Sequence, residues 1–318
     1  MRVFTKNEKI QRPSSQIAEA VQLLNLGKLV VCPTETVYGL CCSIFHKKAV
    51  HNIFEIKKRP SSHSLPVVVN NLSQLELITS FIPDEFFMLW NKIIPGPLTI
   101  ILKKKPIISS LITGGRETVA IRFSSNLTVQ SLIKNVGCPL ALTSANLSGL
   151  PSPTNVDHVL EDLGGKVELI INEGPTQFAL ESTILSLVDP QKPEIKRFGA
   201  ISKSELENVL GKKVYVDSLL QNGAYRNKFI GLKSIVRLFY SWEHLSFYIK
   251  LSNSSKKVIF CIDSPPFEFP HFSLTKDNLF NGLRYANNES YSEILILCCS
   301  SLKKFVTVYK MIKSIAHT

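Results

Sequence analysis

Residues 28–40 read Lys-Leu-Val-Val-Cys-Pro-Thr-Glu-Thr-Val-Tyr-Gly-Leu. Lys28 to Cys32 is a short apolar run that stops at a proline, which is the pattern of a strand ending in a turn. Pro33 to Leu40 then places the hydroxyls of Thr34 and Thr36 at the strand's exit. Downstream, Val50, Ile53, Phe54 and Ile56 recur at near-helical spacing, so a helix is expected over Ala49 to Lys58. Strand, polar connection and helix form the unit of an α/β sheet, and such sheets hold ligands beyond their strand ends. Two readings of Pro33–Leu40 stay open at this point: an ordinary connection, or a ligand loop.

The same alternation continues in both directions. Strands are expected at Leu65–Val69, Leu98–Leu102, Val119–Phe123, Leu140–Thr143, Val167–Ile171, Ser182–Val188 and Glu194–Phe198. Helices are expected at Ser73–Phe81, Asp84–Ile94 and Asn126–Val136. Ser202-Lys203-Ser204-Glu205 is a capping box that opens another, running to about Leu210. Residues 1–212 therefore form one α/β domain. Residues 213–236 lose the periodicity, carry the turn signal Gln221-Asn222-Gly223, and read as a linker. In residues 237–318 a strand at Lys257–Ile262, a helix at Thr275–Ala286, a strand at Ile294–Cys299 and a basic helix at Leu302–Ile315 give a small Rossmann-like unit with parallel pairing. The last helix is expected to pack Phe305, Val308 and Ile312 on the sheet and turn its lysines to water.

The 318 residues are 44% hydrophobic and 19% charged, enough for two cores and unlike a disordered chain. The formal net charge is +12, and residues 237–318 hold 10 Lys/Arg against 6 Asp/Glu, so the excess is spread out. It favours anionic partners such as nucleotides or nucleic acid without choosing among them. Seven cysteines, an odd number without a Cys-x-x-Cys, read as reduced buried thiols. Met1–Ser15 is polar and unlike a signal peptide, and no run approaches a membrane span, so a cytoplasmic protein without a membrane partner is expected.

No Gly-x-x-x-x-Gly-Lys-Ser/Thr and no Gly-x-Gly-x-x-Gly after a strand is present, so a bound nucleotide would rest on isolated side chains. Lys57-Lys58-Arg59-Pro60 ends a helix. Its cations suit the helix dipole, or else a phosphate. Thr143-Ser144-Ala145-Asn146 leaves an apolar strand and is either a self-satisfied turn or a nucleotide loop. Arg122, inside Val-Ala-Ile-Arg-Phe, requires a partner or a ligand because a buried charge is costly alone, and a carboxylate held by a bidentate pair would meet that need. Arg197 sits in a similar strand, and Glu181-Ser182-Thr183 is a polar triple at a strand's start.

Taken together, these segments resemble the YrdC-like threonylcarbamoyl-AMP synthase family in its long two-domain form. The matching segments, in the family's order, are PTETVYGL (33–40), Lys-x-Arg-Pro (57–60), PGPLTIIL (95–102), VAIR (119–122), TSANLSG (143–149), LGGKVELIINEGP (163–175), ESTI (181–184) and RFGAIS (197–202). The resemblance covers nearly all of residues 15–212. It implies a twisted, mostly parallel α/β sheet around a concave basic cavity. It also implies synthesis of threonylcarbamoyl-AMP and pyrophosphate from L-threonine, bicarbonate and ATP with Mg²⁺, without a protein-held metal. Lys57, Arg59, Ser144 and Asn146 match the family's catalytic tetrad, and Arg197 its later nucleotide-contacting arginine. Thr34, Arg122 and Ser182 match positions around threonine, Thr143 joins them, and Thr118 falls with the nucleotide contacts. The implied partner is the threonylcarbamoyl transferase complex acting on tRNA, and an RNA-contacting surface is consistent with the charge.

The chain departs from the family pattern in places. Phe198 stands where Arg-Pro-Gly-Ala is usual, Ser62-His63-Ser64 where Asn-Pro precedes Leu65, and Val68 where many members have His. Of the family's linker motif only an echo remains at Gly223-Ala224-Tyr225-Arg226. The rival reading is a non-enzymatic RNA-binding or ribosome-maturation factor, and a second is the YrdC-like module of hydrogenase maturation.

Overall fold

Val30–Cys32 is buried along its whole length, as expected of a strand covered on both faces. In the computed structural model, which describes residues 2–5, 13–221, 231–252 and 256–316, this strand lies inside an eleven-stranded sheet. The order across the sheet is Arg2–Thr5, Leu169–Asn172, Val30–Cys32, Gly39–Ser43, Leu140–Ser144, Val67–Val68, Thr118–Arg122, Leu98–Lys103, Thr183–Ser186, Glu194–Arg197 and Tyr215–Val216. One core layer forms where the helices Pro13–Asn25 and Leu127–Val136 press Ala20, Leu24, Val129, Leu132 and Ile133 onto Val30, Cys41, Leu140, Leu142 and Leu169. Asn71, Asn126 and Asn155 cap their helices by accepting the backbone N–H three residues on, and Ser202 with Glu205 forms the expected reciprocal box.

The chain divides into two compact units. One holds the residues up to Asp217 apart from Gly149–Pro151. The other holds Gly149–Pro151 and the residues from Ser218. In the second unit the strands run Ile235–Phe239, Glu293–Leu297, Lys257–Cys261, His271–Ser273, all parallel. Leu245 of the helix Trp242–Leu251 packs on Ile259, Cys261, Leu295 and Leu297. Glu293 is buried there because Arg237 Nε (2.9 Å) and Tyr248 Oη (2.7 Å) both donate to it. Arg284, also buried, donates to the Pro151 carbonyl through two nitrogens at 2.6 and 3.1 Å.

Several elements differ from the sequence reading. Pro33–Leu40 does not lead straight into a helix, because Gly39–Ser43 first forms a strand antiparallel to Val30–Cys32. Tyr215–Val216, inside the expected linker, adds to the large sheet beside Glu194–Ile195. The helix expected from Thr275 starts at Leu279, because Thr275 spends its N–H on Asn278 Oδ1 and its hydroxyl on Asp277. The last helix is two, Ser300–Lys304 and Val306–Ile315, broken at Phe305, whose φ of −83° and ψ of 67° are not helical. Val308 and Ile312 are buried as expected. Among the described residues eight of thirteen strand pairings across both sheets are parallel, and the five antiparallel ones all lie in the large sheet. The echo of the family linker at 223–226 lies outside the described residues.

Cys32, Cys41 and Cys42 sit in the core of the first unit. Burial pushes the Cys42 thiol up to about 12, which makes it a packing group and not a nucleophile. Among the described residues no helix is long and apolar enough to cross a membrane.

Gly199 fixes the approach of two chain segments. A Cβ on it would lie 2.3 Å from Ser182 C and Thr183 N and 2.4 Å from Glu181 O, all backbone atoms. Gly199→Ala is expected to destabilise the protein by about 2 kcal/mol, the scale of overpacking. Thermal unfolding checks this; an unchanged melting temperature would show that the segments separate freely.

Candidate active site

The helix Lys47–Lys57 ends in a left-handed residue, Lys58 (φ 50°), and Arg59 N–H bonds back to the Phe54 carbonyl at 2.9 Å. This turn sends Lys57 inward and carries the chain away at Arg59. Lys57 is 1% exposed. Its ammonium donates to the carbonyls of Ser144 and Asn146 and, at 3.5 Å, to Asn146 Oδ1. In return Ser148 N–H donates to the Lys57 carbonyl at 2.8 Å, and Asp162 takes the Leu147 N–H at 3.2 Å. The loop Ser144–Ser148 is thus strapped to the helix end. Burial, and after it the neighbouring Arg59, brings the Lys57 pKa down to about 7 against the opposing pull of Glu181 and Asp162.

Arg59 donates through Nη2 to the Ser64 carbonyl at 2.9 Å, while its Nε is buried with no partner. A sealed, unpaired guanidinium N–H is costly, and an anionic ligand in reach would relieve it. The hydroxyls of Thr143 and Ser144 also have no partner among the described residues.

Arg197 occupies the next position. Its Nη1 meets Glu181 Oε2 at 2.9 Å, and its Nε and Nη2 donate to the Ser182 carbonyl at 3.1 and 2.8 Å. Nη2 also donates to Ser182 Oγ at 2.8 Å, which lies 2.8 Å from Thr99 Oγ1. Glu181 is held on its other oxygen by Ser152 Oγ at 2.6 Å. Thr99 pairs across the sheet with Arg122. Arg122 is itself buried, with Nη2 on Glu35 Oε1 at 2.9 Å and on Thr36 Oγ1 at 2.8 Å, and Nε on the Gly96 carbonyl at 3.4 Å.

Thr99, opposite Arg122 in the sheet, thus leads to Ser182 and Arg197; Glu181 and Arg197 act electrostatically on Arg59, and Glu181 on Lys57, whose ammonium holds the Ser144 and Asn146 carbonyls. Thr118 begins the strand that Arg122 ends, about 13 Å away at strand rise. Thr34 lies beside Arg122's partner Thr36, but its hydroxyl is used inside its own turn, accepting from the Thr36 and Val37 N–H groups and donating to the Val37 carbonyl. Of the Arg122 nitrogens, Nη2 and Nε are engaged and Nη1 is without a partner among the described residues. Val68 pairs with Arg122 in register and is buried. Sequence reasoning passed over Glu35, Ser124 and Thr99. The need of Arg122 for a counter-charge, with Glu35 already inside the quoted loop, was the available signal.

Known proteins resemble this chain in sequence and in fold. The Sua5/YciO/YrdC family, described as "Telomere recombination", matches residues 22–199, more than half of the chain. A threonylcarbamoyl-AMP synthase of Bacillus subtilis (strain 168) is 42% identical over 216 residues, 68% of this chain and 62% of that protein. One of Pyrococcus abyssi (strain GE5 / Orsay) is 40% identical over 210 residues, 66% of this chain and 61% of that protein. The chain thus spans about three fifths of the length of these curated relatives. Among solved structures, P. abyssi Sua5 complexed with L-threonine superposes with a TM-score of 0.88 at 29% identity, over 99% of this chain and 98% of that one. E. coli YciO gives 0.56 at 26% identity, over 64% of this chain and 98% of that one. With the family matched over more than half of the chain and the fold shared, the chain belongs to the Sua5/YciO/YrdC family.

Proposed function

We propose that this chain is an L-threonylcarbamoyladenylate synthase, a nucleotidyltransferase. The observation that carries the reading is the continuous arrangement of a cationic cluster, Lys57, Arg59 and Arg197, with a buried arginine, Arg122, joined through Ser182. Relatives named threonylcarbamoyl-AMP synthase and the threonine complex of P. abyssi Sua5 support it.

The threonine amine attacks CO₂, supplied directly or by dehydration of bicarbonate, and loses a proton to give a carbamate. A carbamate oxygen then attacks the α-phosphorus of ATP, the bond from that phosphorus to the α,β-bridging oxygen breaks, and pyrophosphate leaves with that oxygen. Positioning and charge neutralisation supply most of such catalysis. Arg122 Nη1 meets the threonine carboxylate, with Ser182 and Thr143 alongside and the Thr34 turn holding Thr36 against Arg122. Arg59 and Arg197 take the phosphates, Ser144 and Asn146 orient them, and Lys57 holds the Ser144–Ser148 loop while adding charge. Thr118 belongs to the nucleotide's far end.

Among the described residues no group of three or more His, Cys, Asp or Glu is placed to hold a metal ion. The donors near the phosphate end are the neutral Ser144 hydroxyl and Asn146 side chain, which fit Mg²⁺ bound chiefly by phosphate oxygens. Mg²⁺ there would neutralise charge on the triphosphate. The product would pass to the complex that transfers threonylcarbamoyl to tRNA, a step in the cytoplasm.

Purified protein given ATP, L-threonine and bicarbonate is expected to release pyrophosphate only when all three are present, and Arg59→Ala is expected to lose at least tenfold in rate with the fold intact. Release without threonine, or a fully active Arg59→Ala, would overturn the reading. Salt-sensitive RNA binding without any turnover would favour the RNA-binding alternative.

The Lys57 pKa yields a second prediction. Being depressed, it opposes stability most below pH 7, and that cost fades as pH rises toward the ordinary 10.5. Phosphates beside it must raise its pKa, so ATP binding at pH 8 takes up as much as about one proton. Calorimetry in two buffers of different ionisation enthalpy measures the uptake, which Lys57→Met abolishes. Equal uptake in that variant would place the proton elsewhere.

A further inference from the structure

Glu35 is 4% exposed and ties three segments together. Its Oε1 accepts from Arg122 Nη2 at 2.9 Å and from Ser125 N–H at 3.2 Å. Its Oε2 accepts from Ser124 Oγ at 2.5 Å, and its backbone carbonyl accepts from Phe178 N–H at 2.9 Å. The Thr36 hydroxyl, one residue on, takes the other proton of Arg122 Nη2. Since Thr34 Oγ1 donates to the Val37 carbonyl, it is Thr36 that donates within the Thr34–Thr36 pair. Every polar atom in this set has an assigned direction, and together they fix the guanidinium in rotation as well as in place.

The consequence lies in what is left over. Nε faces the Gly96 carbonyl and both protons of Nη2 are engaged. Nη1 alone has no partner among the described residues, and it is not sealed from solvent. Without the carboxylate, the guanidinium could swing to offer a fork to any anion, including a phosphate, since arginine binds both bidentately.

Resting on the threonylcarbamoyladenylate reading, we infer that Glu35 is a positioning residue that locks Arg122 so that only Nη1 meets the amino-acid carboxylate, and so sets threonine affinity and orientation. Burial alone would raise the Glu35 pKa, but Arg122 and the Ser124 hydrogen bond hold it below the ordinary value, so the anion persists through the working pH range. Glutamine fits the same pattern. Its amide oxygen can take the place of Oε1, and its NH₂ can face Ser124, whose hydroxyl turns to accept.

The test is steady-state pyrophosphate release by the full chain. Glu35→Ala is expected to raise the threonine KM at least tenfold, with kcat at saturating threonine within threefold and the ATP KM unchanged. Glu35→Gln is expected to recover most of the lost affinity. An unchanged threonine KM in Glu35→Ala, or an equal loss for ATP, would overturn the inference. Arg122→Ala separates the two levels. If it keeps threonine affinity, the threonine reading itself fails; if it loses affinity while Glu35→Ala keeps it, only the role of Glu35 fails. Should Glu35→Ala not fold, Ser124→Ala, which removes one hold on the carboxylate, must raise the threonine KM alone, and no rise there counts equally against the inference.

Discussion

The arrangement depends first on one buried cation. Lys57 is almost without exposure, and an ammonium in that position is tolerable only with oxygen atoms around it. The carbonyls of Ser144 and Asn146 supply them. That requirement couples the end of the helix Lys47–Lys57 to the loop after the strand Leu140–Ser144, segments almost ninety residues apart in sequence. Once they are joined, Ser144 and Asn146 are fixed against the helix end that Arg59 follows. The same burial brings the lysine's pKa down to about 7, so at pH 7 its charge is only partly fixed beforehand and an anion nearby would raise it.

Charge alternates along the site. Arg122 is matched by Glu35, Arg197 by Glu181, and Lys57 feels both Glu181 and Asp162. Pairing limits the mutual repulsion of four cations before substrate arrives, and it spends donors selectively. Two of the arginines keep part of the guanidinium in reserve, Nη1 on Arg122 and the unpaired Nε on Arg59, whereas all three nitrogens of Arg197 are engaged. Ser182, held between Thr99 and Arg197, links the sheet position opposite Arg122 to the Arg197–Glu181 pair.

Much of this was legible in the sequence. Strands with continuous apolar runs, such as Leu98–Lys103 and Leu140–Ser144, and helices with clear caps, such as the one opened by Ser202 and Glu205, stood out because local pattern and tertiary role coincide. Arg122 was conspicuous for being a charge in an apolar strand. What escaped was set by long-range pairing. Gly39–Ser43 follows a turn that reads as a loop, and only its two neighbours in the sheet make it a strand. Tyr215–Val216 is too short to show a period and is a strand only beside Glu194–Ile195. Glu35 looked like an ordinary turn residue, since nothing local reveals that its partner lies 87 positions away. The Rossmann-like order of the last domain was visible, whereas the break at Phe305 was not, because an apolar residue at helical spacing carries no sign of a non-helical backbone.

The most direct test of the chemistry follows one oxygen. If the carbamate oxygen attacks the α-phosphorus, the atom bridging carbon and phosphorus in the adenylate comes from bicarbonate. When an amine then accepts the carbamoyl group, that atom leaves with AMP. With ¹⁸O-labelled bicarbonate, mass analysis is predicted to find one ¹⁸O in the AMP and none in the pyrophosphate. Unlabelled AMP from a labelled adenylate, or label in pyrophosphate, would contradict the account.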